Sequence, residues 1–360
     1  MLKSALLLSF RRISITLRGL SSSFVDDDVK IAKEDSPYST RNPAFRTDFP
    51  MPKTFDKHSW FPRHMYSGMK KMQARLRNCD CVVEVHDARI PFTGRNHELF
   101  APLYKVRPHI LLLNKADLID KSRRPDIETR LKLEHGVETF MWTDLKNKAR
   151  TAADKLVKKI TQQVATSDRH HRFDNTEYQC LVIGIPNVGK SSLINELRQR
   201  FLPKTGSKRT KQPLIVGDQP GVTKAVHFKI RVRSDPDIFL LDTPGVLPPQ
   251  RTDVDTVMKL AVCNCVLTNN IDQQQSVADY LLFWLNKHER YEYTVTFDLD
   301  KPVDNIETLL MHICVTEKMM VARVLPGRGR TTVPDFHMAA QKFLAAFRQG
   351  KLGDQFMDID

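Results

Sequence analysis

The 360-residue chain contains no run of eighteen consecutive apolar residues, which excludes a membrane-spanning helix of ordinary length. It has no pair of cysteines at the C-x(2–4)-C spacing of zinc sites. Its six cysteines include two Cys-x-Cys pairs, Cys79/Cys81 and Cys263/Cys265, set in apolar surroundings. Buried, reduced thiols follow, and with them a reducing compartment. Acid is in deficit: 42 Asp and Glu against 56 Lys and Arg give a formal charge of +14. A polyanionic partner, nucleic acid or an anionic membrane surface, is expected.

The acid deficit is complete in residues 1–25, which hold Lys3, Arg11, Arg12 and Arg18 among leucines and serines. Arg11 and Arg12 cut the apolar stretch too early for a secretory signal. An Arg-rich, Ser-rich, acid-free amphipathic segment is the composition of a mitochondrial transit peptide. The polar, proline-bearing residues 26–58 read as a linker or extended arm.

Against these absences stands one dense motif. Gly184-Ile-Pro-Asn-Val-Gly-Lys-Ser-Ser192 reads G-x-x-x-x-G-K-S, preceded by the apolar Cys180-Leu-Val-Ile183 and followed by a helix-like run. Glycines at 184 and 189 let successive backbone N–H groups turn toward phosphate oxygens, assisted by the partial positive charge of a helix N-terminus. Asn187, Val188, Gly189, Lys190, Ser191 and Ser192 are the candidate phosphate-binding residues, with Lys190 reaching the β- and γ-phosphates and Ser191 a ligand of Mg²⁺.

Three further short motifs follow expected strands or precede them. His109-Ile-Leu-Leu-Leu113 is a continuous apolar run ending in Asn114-Lys-Ala-Asp117. Asp117 can accept hydrogen bonds from both the N1–H and the exocyclic amine of guanine, a pattern adenine lacks, which disfavours an ATPase. Asn114 and Lys115 complete the base site, and Thr143 stands where a base-supporting loop is expected. Asp242-Thr-Pro-Gly245 supplies a carboxylate toward Mg²⁺ and a glycine N–H toward the γ-phosphate, while Thr223 of Pro220-Gly-Val-Thr223 is the second hydroxyl candidate. Each is weak alone; together they predict a GTP-binding domain using GTP/GDP and Mg²⁺. The guanine motif precedes the phosphate loop, the reverse of the usual order, so a circularly permuted P-loop domain is expected.

The expected organisation is α/β: a circularly permuted GTPase domain with a mostly parallel sheet over residues 59–247, then an all-helical C-terminal domain over 248–360. Helical periodicity at 254–267, 276–287, 303–315 and 335–347 supports the second part, with a basic loop near Gly327-Arg-Gly-Arg330 and an acidic tail, 354–360, read as frayed. The basic residues Lys204, Lys208, Arg209, Lys211, Arg328 and Arg330 read as phosphate contacts that position without specifying sequence.

From about Trp60 onward the chain resembles the circularly permuted ribosome-assembly GTPases. The resemblance rests on Phe61-Pro-Arg-His-Met65, Asp87-Ala-Arg-Ile-Pro91 with Arg95-Asn96, and the four nucleotide motifs in their permuted order. It implies GTP hydrolysis, association with the large ribosomal subunit of mitochondria and its rRNA, and a matrix location peripheral to the inner membrane. A monomer is expected when free. The place after D-x-x-G, where many GTPases carry a water-orienting glutamine, is held here by Val246. The resemblance implies His64 as the catalytic substitute and Asn187 as a ligand of potassium beside the phosphates. A slow enzyme stimulated by the ribosomal particle is one expectation; an RNA-binding scaffold with GTP as a structural ligand is the other.

Overall fold

The computed structural model describes residues 45–50, 52, 75–76, 78–95, 107–169, 172, 174–201, 229–243, 245, 253–266, 271–325 and 329–359. His64, Thr223, Val246 and Arg328 lie outside the described residues, as do residues 1–25, expected to be a transit peptide, and the basic stretch carrying Lys204, Lys208, Arg209 and Lys211. The described residues from Arg46 onward belong to one compact unit.

Among the described residues, six strands build the main sheet: β1 (Cys81–Asp87), β2 (His109–Asn114), β3 (Phe140–Trp142), β4 (Tyr178–Ile183), β5 (Lys229–Ser234) and β6 (Asp237–Asp242). Their order is β3-β2-β1-β4-β6-β5. All neighbours run parallel except β5, which pairs antiparallel with β6. The central strands β1 and β2 are buried along their whole length, as a parallel sheet covered on both faces demands. β2 accordingly reads as a continuous apolar run from Ile110 to Leu113, whereas β1 carries Glu84, His86 and Asp87 among its apolar residues.

Helices α1 (Arg124–His135), α2 (Ala149–Ala165) and α3 (Lys190–Phe201) belong to this layer. α1 ends at Gly136 in the left-handed conformation (φ 60°), with its amide on the Leu131 carbonyl. α2 turns Leu156, Val157, Ile160 and Val164 inward, the 3–4 spacing of an amphipathic helix.

Beyond β6 come α4 (Val254–Val262), α5 (Ile271–Lys287), α6 (Glu292–Thr296), α7 (Ile306–Thr316) and α8 (Phe336–Arg348). Asp253, Asn305 and Asp335 cap α4, α7 and α8, each side chain accepting a backbone N–H three residues on. The expectation of an all-helical C-terminal part needs one addition. A hairpin, β7 (Met320–Leu325) and β8 (Gly329–Pro334), stands between α7 and α8, and Gly329 and Arg330 of the expected basic loop open its second strand.

One apolar core runs from Val85 and Val182 of the sheet through Val262 of α4 to Tyr280 and Trp284 of α5 and Phe343 and Phe347 of α8. A shared core of this kind resists free hinge motion between the two parts. All six cysteines are free and buried in it or beside it. The described end of the arm is also anchored: Arg46 bridges Asp279 (2.9 Å) and Asp304 (3.1 Å), and Phe49 packs on Tyr280 and Phe283.

The acidic tail is not frayed. Residues 354–358 return to the sheet: the Gln355 amide donates to the Leu118 carbonyl (2.9 Å) and the Met357 amide to the Arg89 carbonyl (2.8 Å). Asp354 meets Arg123 and Arg290, and Asp358 accepts the amides of Phe92 and Thr93. Paired charges and satisfied amides hold down a segment whose composition alone suggests solvent.

Candidate functional site

Parallel pairing brings the ends of four strands to one edge of the sheet. Asp87 of β1 is in register with Asn114 of β2, Glu84 with Ile183 of β4, and Val182 with Asp242 of β6. In open α/β sheets ligands bind at this carboxyl edge. The phosphate loop leaves β4 and enters α3 here, and Asn114-Lys-Ala-Asp117 leaves β2.

The loop is shaped by its glycines. Gly184 has φ 146°, and a Cβ there would sit 2.1 Å from the Val85 carbonyl oxygen. At Gly189 (φ 108°) a Cβ would lie 2.5 Å from Asn114 Nδ2. Gly245 is pressed against the Pro186 backbone, a Cβ there falling 2.7 Å from its nitrogen. Asn187 occupies the left-handed region at φ 58°, which asparagine tolerates better than most residues. Its Nδ2 donates to the Asn264 carbonyl (2.9 Å) just beyond α4.

Lys190 is buried, its ammonium donating to the carbonyls of Gly184 (3.1 Å) and Ile185 (2.7 Å). Burial pushes its pKa down to about 8, against an upward pull from Asp242. Asp242 is buried, and among the described residues neither of its carboxylate oxygens has a hydrogen-bond partner. Burial raises its pKa; the Lys190 charge and the Thr243 amide oppose this without reaching hydrogen-bond geometry. A buried carboxylate without a described partner and a hydroxyl suit a divalent cation, so Asp242 and Ser191 are the described residues that could hold Mg²⁺.

On the base side, Asn114 ties the two motifs together. Its Nδ2 donates to the Val188 carbonyl in the phosphate loop (2.7 Å), and its Oδ1 accepts the Leu145 amide (3.0 Å). Thr143 is buried behind it, hydroxyl 3.4 Å from Asn114 Oδ1, while its carbonyl accepts the Ala116 amide. Asp117 is exposed to solvent. Lys115 (φ 61°) places its ammonium 2.7 Å from Asp87 Oδ2.

Asp87 is a residue that motif reading quoted without a role. Fully buried, it also binds Arg89 through both carboxylate oxygens (2.9 and 2.7 Å). Burial would raise its pKa, but the Arg89 and Lys115 charges overcome this and hold it well below the usual carboxylate range. Arg89 continues to the Cys263 carbonyl (3.2 Å) at the end of α4, where Arg348 takes the Ala261 and Val262 carbonyls. Two guanidiniums at a helix C-terminus complement its partial negative charge. The described parts of both nucleotide motifs thus lean on residues 261–264 of the helical part.

A phosphate loop and a guanine-type strand end, joined through Asn114 and Val188 at one sheet edge, with the guanine motif first along the chain, define a circularly permuted GTPase. Residues 179–313 match the family described as 50S ribosome-binding GTPase. A mitochondrial ribosome-associated GTPase 1 of Ictalurus punctatus is 44% identical over 87% of this chain and 96% of its own length; that of Mus musculus is 42% identical over 88% and 94%. Ribosome biogenesis GTPase A of Bacillus licheniformis is 31% identical over 71% of this chain and 84% of its own. The chain belongs to the mitochondrial ribosome-associated GTPase 1 family. It is a guanine-nucleotide-binding, GTP-hydrolysing mitochondrial protein.

Proposed function

We propose that this GTPase acts on the large mitochondrial ribosomal subunit during its assembly, and so regulates mitochondrial translation. GTP loading favours the subunit-bound form and hydrolysis releases the protein. The observation that carries the reading is the Asn114–Val188 contact, which makes base site and phosphate loop one site. The names of the relatives, which are ribosome-associated and ribosome-biogenesis GTPases, and the net charge of +14 support an RNA-rich partner.

In this reading Asp117 reads guanine, Asn114 locks that loop to the phosphate loop, and Lys115 flanks the base with Thr143 behind. Val188, Gly189, Lys190, Ser191 and Ser192 bind phosphate with Asn187, and Gly245 offers its amide to the γ-phosphate. Ser191, Thr223 and Asp242 would hold Mg²⁺, which neutralises charge on the β- and γ-phosphate oxygens. Asn187 would add potassium through its amide oxygen. His64 orients the attacking water in place of the glutamine that Val246 replaces. Residues 248–360 contact rRNA, and the 1–25 segment directs import to the matrix, where the protein associates with the inner membrane peripherally and is monomeric when free.

Turnover measured with and without large subunits tests the reading. Slow hydrolysis accelerated by the particle, with co-sedimentation in a non-hydrolysable GTP analogue and release in GDP, is expected. Rapid and equal turnover in both conditions rejects it.

A further inference from the structure

The C-terminal strap lies directly against the loop that follows the guanine motif. Asp117 is followed by Leu118, whose carbonyl accepts the Gln355 amide (2.9 Å). Two residues on, the Asp120 amide donates to Asp354 Oδ1 (3.1 Å), and Arg123 Nε lies 2.6 Å from Asp354 Oδ2. Gly350 closes the other side: a Cβ there would come within 3.1 Å of the Leu118 side chain. Phe356 is buried in the small core formed by Leu113, Ala116, Ile119 and Leu131, beneath the same loop.

The strap also belongs to the helical part. Arg290, just after α5, binds the Asp354 carboxylate (3.2 Å) and its carbonyl, and the Gln355 side chain donates to the Phe347 carbonyl of α8. Asp354 is therefore shared between Arg123 on the base side and Arg290 on the helical side. Among the described residues, these contacts fasten the guanine loop to the helices without passing through β6.

We propose that the strap, through Asp354 and Gln355, positions the loop bearing Asp117 for guanine recognition, so that displacement of the helical part weakens base selection. The proposal rests on the reading of Asp117 as the guanine acceptor. Asp117 itself has no described side-chain partner; its position is set by the backbone on either side, Ala116 tied to Thr143 and Leu118 tied to Gln355. Loss of the second tie leaves the phosphate loop intact and loosens only the base contact. Specificity built on hydrogen-bond geometry is the property such loosening erodes first.

The test measures GDP and IDP binding to the full chain by displacement of a fluorescent GDP. IDP lacks the exocyclic amine, so the GDP/IDP affinity ratio reports the acceptor geometry at Asp117. Asp354→Ala is expected to weaken GDP about tenfold and to narrow that ratio, with Asp354→Glu restoring part of both. Arg123→Ala, at a half-exposed position, leaves the Arg290 contact and the fold intact; a smaller narrowing in the same direction is expected. A parental ratio in both Asp354→Ala and Arg123→Ala overturns the proposal; should Asp354→Ala fail to fold, Arg123→Ala decides it alone. Asp117→Asn separates the two readings. If it does not exchange guanine for xanthine preference, the assignment of Asp117 fails; if it does and the strap variants remain parental, the strap proposal fails alone.

Discussion

Lys115 and Asp87 form an ion pair of 2.7 Å at the junction of the base site and the sheet. The lysine side chain is about a quarter exposed, at 26%, whereas the aspartate is fully buried and shared with Arg89. The arginine, not the lysine, is therefore the principal counter-charge. Arg89→Ala is expected to cost about 3–5 kcal/mol of folding stability, because it leaves a buried carboxylate with one partly solvated partner. Chemical denaturation of the nucleotide-free protein measures it. The pKa of Asp87 is depressed in the fold, so its contribution is complete above the unfolded value near 3.8 and disappears only as pH falls through the lower folded value. The Arg89→Ala difference should accordingly be constant across neutral pH.

Lys190 behaves oppositely. Burial lowers it to about 8 in the nucleotide-free protein, and bound phosphate will raise it. Binding at a pH above 8 must then take up a proton. At pH 8.5 the uptake should be roughly three-quarters of a proton per site; at pH 7 it should be near zero. Calorimetric titration with GDP in buffers of different ionisation enthalpy reads this directly. No uptake at pH 8.5 would mean that Lys190 is already fully charged before phosphate arrives.

The parts legible in the sequence share a cause. β2 and the later part of β4 are buried, so their apolar runs, Ile110 to Leu113 and Cys180 to Ile183, announce them, and their site residues follow at fixed positions on the strand ends. The strap was not legible. Asp354 and Asp358 meet partners 231 and 266 residues away, and nothing local distinguishes such acids from a solvated tail. The β7–β8 hairpin escaped because two six-residue strands carry too little alternation to compete with the flanking helical periodicity. Asp87 and Arg89 were visible as a motif, but their role depends on the Cys263 carbonyl, which only the packing of α4 brings near.

Gly189 and Gly136 separate backbone strain from site geometry. Both have positive φ, 108° and 60°, but a Cβ at Gly136 meets nothing within 4 Å, whereas at Gly189 it would strike Asn114 Nδ2 at 2.5 Å. Gly136→Ala should cost about 1 kcal/mol and leave nucleotide affinity unchanged. Gly189→Ala should push Asn114 off the Val188 carbonyl and weaken GDP by at least tenfold, about 1.4 kcal/mol. Melting temperature and GDP affinity measured for both variants distinguish the two effects. Equal affinity losses would remove Asn114 as the link between base and phosphate.

Asp242 presents a conflict between stability and function. Its carboxylate is buried without a hydrogen-bond partner among the described residues, and burial raises its pKa. A carboxyl raised in the fold binds protons more readily than in the unfolded chain, so folding becomes less favourable as pH rises from about 3.8 through the folded value. Asp242→Asn removes that charge at nearly constant volume, and Lys190 retains the Gly184 and Ile185 carbonyls. The variant is expected to melt no lower than the parent without nucleotide at pH 7.5. Its GTP affinity, however, should lose the dependence on Mg²⁺ expected of the parent, because the carboxylate toward the metal is gone. Thermal melts and GTP binding across a magnesium titration check both halves. A melting temperature lowered by several degrees with the magnesium dependence intact would make Asp242 a structural residue and remove it from the metal site.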